Sequence, residues 1–199
     1  MPSETRIDLL RHGEPVGGRR YRGQIDDPLS DKGWQQMRAA VGDRRDWDVI
    51  FTSPLRRCAE FAAELAARHG LPLTREPRLM EIGFGSWEGR TADEIRAGDQ
   101  EVIERFWRDP VAHRPEGAER IADFHARVSG AWRDLLTAHP GKRILIVGHA
   151  GITRMILSLV LESPPQHMFR IQVENAGLTH IRVRGTGAEA FPMLVYHGK

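Results

Sequence analysis

An α/β fold is predicted here: a three-layer sandwich with a mostly parallel central sheet flanked by helices and a small helical cap. Three features carry that expectation. Short apolar runs alternate with stretches of helical periodicity along most of the chain. The runs Val49-Ile50-Phe51 and Ile144-Leu145-Ile146-Val147 are apolar throughout, as strands covered on both faces are. Two runs also end alike, in Leu10-Arg11-His12-Gly13 and Val147-Gly148-His149-Ala150-Gly151. Open α/β sheets hold ligands at the carboxyl ends of such strands.

A chain of 199 residues can bury one sizeable core and is short for two, so residues 1–199 read as one domain, with 82–117 as a cap insertion. A net charge of +2, with arginines spread widely, excludes the concentrated basic stripe of a nucleic-acid binder. The longest apolar run, Ile152 to Leu161, is broken by Arg154 and is too short to span a bilayer. Met1-Pro2-Ser3-Glu4-Thr5 lacks the basic-then-apolar pattern of a signal peptide. The single cysteine, Cys58, excludes an intramolecular disulfide and any multi-cysteine metal site. A cytoplasmic protein with neither membrane nor nucleic-acid partners is expected; the oligomeric state stays open.

The elements follow in order. Arg6 to Leu10 reads as the first strand, and Gly13 to Leu29 as a Gly- and Arg-rich loop. Ser30 caps a helix carrying Trp34, Met37, Arg38 and Val41. Asp48 to Thr52 is the second strand, after which Ser53-Pro54 reads as an N-cap with proline at the first helical position. That helix runs through Phe61 and Leu65 to Gly70, and Leu73 to Arg75 is a third strand. A loop rich in Gly and aromatic residues spans 81–90. Helical stretches follow through Ile95 and through Val102 to Trp107, the second stopped by Asp109-Pro110. Ile121, Phe124, Val128, Trp132, Leu135 and Leu136 form the stripe of a long amphipathic helix ended by His139-Pro140-Gly141. A strand leads into His149, and a helix carries Ile152, Met155, Ile156, Leu159 and Val160. Phe169 to Val173, Leu178 to Val183 and Phe191 to Tyr196 read as closing strands.

The chemistry these residues suit is phosphoryl transfer without a metal or other cofactor. It needs a nucleophile, positive charge on the equatorial oxygens and an acid for the leaving oxygen. His12 is the candidate nucleophile, provided an acceptor holds its other ring nitrogen; a backbone carbonyl of the Gly-rich loop is the expected one. Arg11 and Arg57 are planar forks suited to phosphate oxygens. His149 adds a donor, and Glu81 is the candidate acid. Each has a plainer reading alone: a hydrogen-bonded strand-end histidine, a solvated arginine, a capping glutamate. The cluster Arg19, Arg20 and Arg22 reads equally as a solvated loop or as an anion funnel.

Together with Ser53-Pro54-Leu55-Arg56-Arg57 and Glu81-Ile82-Gly83-Phe84-Gly85-Ser86-Trp87-Glu88-Gly89, the two histidine segments resemble, in order and spacing, the histidine phosphatase (phosphoglycerate-mutase-like) superfamily. The resemblance runs from about residue 6 to residue 183. It implies that His12 is the phosphorylated nucleophile, Arg11 and Arg57 (not Arg56) bind the phosphoryl group, Glu81 is the acid and His149 the second histidine. Gly23, in Tyr21-Arg22-Gly23, matches the substrate loop that precedes Asp26-Asp27-Pro28-Leu29. Where many members have Thr or Ser and then Asn after Arg-His-Gly-Glu, this chain has Pro15 and Gly18, and the loop is shorter. Arg20 or Arg22 is the expected substitute. The short Gly-rich loop is similar to the α-ribazole phosphatase type of cobalamin biosynthesis, implying a hydrolase acting on a small phosphorylated metabolite such as α-ribazole 5′-phosphate. Trp87, Phe84 and Trp107 then read as an aromatic wall or, equally, as core.

Two other readings compete: a phosphoglycerate mutase, for which the segment between Glu81 and His149 is short, and a non-catalytic phosphate-binding module, for which the intact set of five residues is unexpected. Cys58 is not a cysteine-phosphatase nucleophile, since the arginine needed six residues on is Glu64. There is no P-loop and no paired-histidine zinc motif, so no metal is expected.

Overall fold

The computed structural model describes residues 4–198; Met1, Pro2 and Ser3, part of the N-terminal segment considered above, lie outside it. Six strands form one sheet: β1 (Glu4–Arg11), β2 (Val49–Thr52), β3 (Leu73–Arg75), β4 (Arg143–Gly148), β5 (Leu178–Arg184) and β6 (Phe191–His197). Their order is β3-β2-β4-β1-β5-β6. The first four pair in parallel, and β5 and β6 add an antiparallel edge.

Alternation along the strands sorts the core into two layers. Ile7, Leu9, Ile144, Ile146 and Ile181 face one way, against α5 (Ile121–Ala138) and α6 (Ala150–Val160). Leu10, Ile50, Leu145, Val147 and Leu178 face the other, against α1 (Asp31–Val41) and α2 (Arg56–His69). Both sides of the sheet are therefore buried, which is why β4 carries no polar residue between Ile144 and Val147. Between β3 and α5 lie the short helices α3 (Ala92–Arg96) and α4 (Val102–Arg108). They share a small apolar cluster of Trp87, Ile95, Ile103 and Phe106, joined to the rest through Tyr21, Phe84 and Phe169.

Local signals hold at most ends. Ser30 Oγ accepts from the Gly33 amide at 3.1 Å, starting α1. Gly70, at φ 64°, closes α2 in the left-handed conformation.

Two expectations fail. Ser53 does not cap α2: the helix begins at Arg56, Leu55 occupies the N-cap position, and the Ser53 hydroxyl meets His149 instead. Phe169 to Val173 is not a strand, because Pro165–Arg170 forms a 3₁₀ helix and the following carbonyls serve side chains. Ile171 O accepts from Arg154, and Val173 O from Arg11.

Candidate active site

The register between β1 and β4 assembles the centre. Arg11 stands opposite Gly148, so the next residues, His12 and His149, leave the sheet side by side. The His12 amide extends the ladder to Gly148 O at 2.9 Å, and the Ser53 amide does so to Val147 O at 3.1 Å. Three strand ends thus deliver His12, Ser53 and His149 to one point of the carboxyl edge. The two imidazoles lie edge to face with centroids 5.2 Å apart.

His12 Nδ1 is 2.7 Å from Gly13 O. A carbonyl only accepts, so Nδ1 carries the proton and the Nε2 lone pair is free for attack. The sequence placed that acceptor in the Gly-rich loop, and the carbonyl is the loop's first. Burial, then Arg11 and Arg57, hold the His12 ring well below the usual imidazole range, in its neutral nucleophilic form. His149 is completely buried, its Nε2 2.8 Å from Ser53 Oγ. Burial, then Arg57, holds it well below the ordinary range too, so the free protein presents a neutral ring here.

Arg11 and Arg57 flank the rings. Arg11 donates Nη1 to Val173 O at 2.5 Å, and burial brings its guanidinium down to about 10. Arg57, 1% exposed, donates to Ile25 O at 2.6 Å and to Gly23 O at 2.7 Å. The Nε groups of both are buried without an acceptor. An orphaned buried donor costs about 1–3 kcal/mol, which a bound oxyanion offsets.

Glu81 is buried beside the N-terminus of α6. Its Oε1 accepts from the Ile82 amide at 3.0 Å and its Oε2 from the Gly151 amide at 3.2 Å. Gly151 is what allows this approach: a Cβ there would stand 2.2 Å from Glu81 Oε1. The Glu81 carbonyl accepts from Arg127 Nη2 at 3.0 Å and from Gln24 Nε2 at 3.2 Å.

Gly23 adopts φ 51°, and a Cβ there would lie 2.0 Å from Glu88 Oε1. Its carbonyl is an Arg57 acceptor, so it shapes the site through the backbone. Arg22, expected to bind substrate, has most of its fork committed within the loop. Its Nε pairs with Asp27 at 2.9 Å, and its Nη2 donates to Val16 O and Gly18 O at 2.6 and 2.7 Å. It braces the short loop first, with Nη1 alone uncommitted. Arg20 ties the same loop to Gly89 O at 2.8 Å, and Arg19 is exposed. In the expected aromatic wall, Trp87 is core, Phe84 meets Tyr21 edge to face and Trp107 is 42% exposed.

Two contributors were not singled out from the sequence, Arg127 and Arg154, and Ser53 was read as a helix cap rather than as a partner of His149. Only Arg154 left a signal, as the charge interrupting the apolar run after His149. Cys58 packs as a helix residue, its Sγ 3.2 Å from Gly148 O and its thiol pushed well up by burial. Among the described residues, no three His, Cys, Asp or Glu side chains gather as a metal site, and no helix is long and apolar enough to cross a membrane.

The strand ends, the paired imidazoles and the guanidinium groups form one candidate site at the carboxyl edge of the sheet. The sequence model of the histidine phosphatase superfamily (branch 1) matches residues 7–191, and the chain belongs to that family. It is 31% identical over 191 residues to a bifunctional protein of Mycobacterium tuberculosis, covering 94% of this chain and 52% of that one. The chain thus spans about half the length of the first curated relatives it matches. It is 32% identical over 170 residues to a glucosyl-3-phosphoglycerate phosphatase of Mycolicibacterium vanbaalenii, covering 80% of this chain and 75% of that one. Among solved structures, the α-ribazole phosphatase of Shigella flexneri superposes with a TM-score of 0.79 at 26% identity, covering 98% and 96% of the two chains.

Proposed function

We propose that this chain is a metal-independent phosphomonoesterase acting on a small phosphorylated metabolite through a phosphohistidine at His12. The observation that carries the reading is the state of His12: proton fixed on Nδ1 by Gly13 O, Nε2 without a partner, the ring neutral between two guanidinium groups. Nε2 attacks phosphorus, the N–P bond forms and the P–O ester bond breaks. Glu81 delivers a proton to the leaving oxygen, which would otherwise depart as an alkoxide. Arg11, Arg57 and His149 carry the charge that develops on the phosphoryl oxygens. Water then attacks phosphorus, Glu81 takes its proton, and orthophosphate leaves with His12 restored.

In this reading residues 82–117 act as a cap over the leaving-group side, its aromatic cluster meeting the 13–29 loop at Tyr21. The relatives' names include a glucosyl-3-phosphoglycerate phosphatase and an α-ribazole phosphatase, so a panel of phosphate esters is the appropriate screen. α-Ribazole 5′-phosphate belongs in it on the strength of the short Gly-rich loop.

The test is hydrolysis of p-nitrophenyl phosphate in excess EDTA. Expected are retained activity, inhibition by vanadate, loss by at least about a thousandfold in His12→Ala, and an acid-labile phosphoryl label on His12. Activity abolished by chelation, or a label on another residue, overturns the mechanism. Isomerisation of phosphoglycerate without phosphate release would replace the hydrolase by a mutase.

A further inference from the structure

The mechanism uses Arg11 and Arg57 on the phosphoryl group and leaves a part-buried guanidinium near Glu81, that of Arg154, unassigned. Arg154 lies one turn into α6, at i+3 from Gly151, and so on the helix face whose Gly151 amide holds Glu81. Its Nε donates to Ile171 O at 2.8 Å, and its guanidinium lies 5.5 Å from the centre of the Phe169 ring. Those two contacts fix its direction. Its Nη groups make no hydrogen bond and it has no ion pair among the described residues, although burial disfavours its charge. Its electrostatic partners are Glu81 and Tyr21, and it and Arg11 repel each other. Unlike the Nε groups of Arg11 and Arg57, the two Nη groups of Arg154 are not sealed from solvent, so they stay open to an anionic ligand.

Position decides which anion. Glu81 serves the leaving oxygen, so a cation beside Glu81 stands within reach of the leaving group. A single planar fork, with no second cation assigned to its ligand, matches one negative charge and two coplanar oxygens. We infer that Arg154 is a specificity-determining residue that binds a carboxylate on the leaving group, so that the substrates are phosphate monoesters of hydroxy acids. This rests on the phosphatase reading above. It places the ribazole ester, whose leaving group is uncharged, among the poorer substrates.

Two esters that differ only in this feature provide the test: 3-phosphoglycerate carries a carboxylate where glycerol 3-phosphate carries a hydroxymethyl group. The wild-type protein is expected to prefer the former by about ten- to a hundredfold in kcat/KM, the range of a charge-assisted bidentate contact. Arg154→Gln is expected to bring the ratio within about threefold of unity, and Arg154→Lys to retain part of it. Affinities of both esters for His12→Ala, measured by calorimetry, give the same comparison without turnover. A wild-type ratio near one overturns the inference even if Arg154→Gln fails to fold. So does a ratio unchanged in Arg154→Gln with both rates reduced, since that is the signature of an arginine acting only through Glu81. Discrimination in binding with no hydrolysis of either ester would sink the phosphatase reading and leave the carboxylate site standing.

Discussion

His12 and His149 stand with ring centroids 5.2 Å apart and planes inclined at 66°, each hydrogen-bonded to an uncharged partner. Burial and the neighbouring arginines hold both rings well below the usual imidazole range. The unfolded chain therefore binds these protons more readily than the folded one. Their contribution is fully present above the unfolded value of about 6.5 and is lost as pH falls below it. Urea unfolding from pH 7.5 to pH 5.5 should show the wild-type protein losing up to about 1.4 kcal/mol per pH unit per ring relative to His12→Asn/His149→Asn. Vanadate should shrink that slope, because an anion between the rings favours their charged forms. Parallel profiles for the two proteins would refute the assignment.

Ser53 tests the second ring alone. Its hydroxyl meets His149 Nε2 at 2.8 Å and contributes nothing to the first turn of α2 beyond a 3.3 Å contact with the Leu55 amide. Ser53→Ala should cost about 1 kcal/mol, the worth of one buried hydrogen bond, and lower kcat/KM about tenfold as His149 loses its orientation. Amide exchange at Arg57 and Cys58 should stay at the wild-type rate. Fraying of α2 instead would restore Ser53 to the capping role its sequence suggests.

That misreading marks where the sequence stops being legible. Periodicity found both core layers, because Ile7 and Leu9 alternate with Leu10, and Phe124 recurs with Val128 and Trp132 at helical spacing. It also located His12 and His149, since a histidine ending an apolar run is a local pattern. Ser53-Pro54 is equally local, yet its hydroxyl is claimed by a residue 96 positions away. Arg22 read equally as a solvated loop residue or as an anion ligand, because nothing nearby in sequence announces that Val16 O and Gly18 O will turn towards it. Phe169 to Val173 had the composition of a strand, but its carbonyls answer Arg11 and Arg154, contacts that exist only once the sheet is assembled.

Gly151 separates the placement of Glu81 from the stability of the fold. A Cβ at this position would stand 2.2 Å from Glu81 Oε1 and 3.3 Å from Ile82 Cγ2. The carboxylate is the free end of a side chain and can swing aside, while alanine in a helix gains up to about 1 kcal/mol over glycine. Gly151→Ala should therefore keep its unfolding midpoint within a few degrees of wild type. It should nevertheless lose at least about a hundredfold in kcat for an alkyl phosphate, whose leaving oxygen needs the proton. Loss should be smaller for p-nitrophenyl phosphate, whose leaving group departs unaided. Equal losses on both substrates would remove Glu81 from the acid's role.

Arg57 and Arg56 are adjacent, and the geometry assigns them opposite fates. Arg57 is buried, with Nη1 on Ile25 O and Nη2 on Gly23 O, so one planar fork joins α2 to the loop that shapes the site. Arg56 points outward and pairs with the half-buried Glu60 at 2.7 Å, an i,i+4 surface contact of little consequence for stability. Lysine keeps the charge but cannot bridge two carbonyls in one plane. Arg57→Lys should thus lower stability by about 2–4 kcal/mol, leaving a buried acceptor unmet, and reduce kcat/KM more than about a hundredfold. Arg56→Lys should match the wild-type protein in both denaturant midpoint and turnover. If the two variants behaved alike, the phosphoryl-binding arginine would have to be sought elsewhere on the sheet edge.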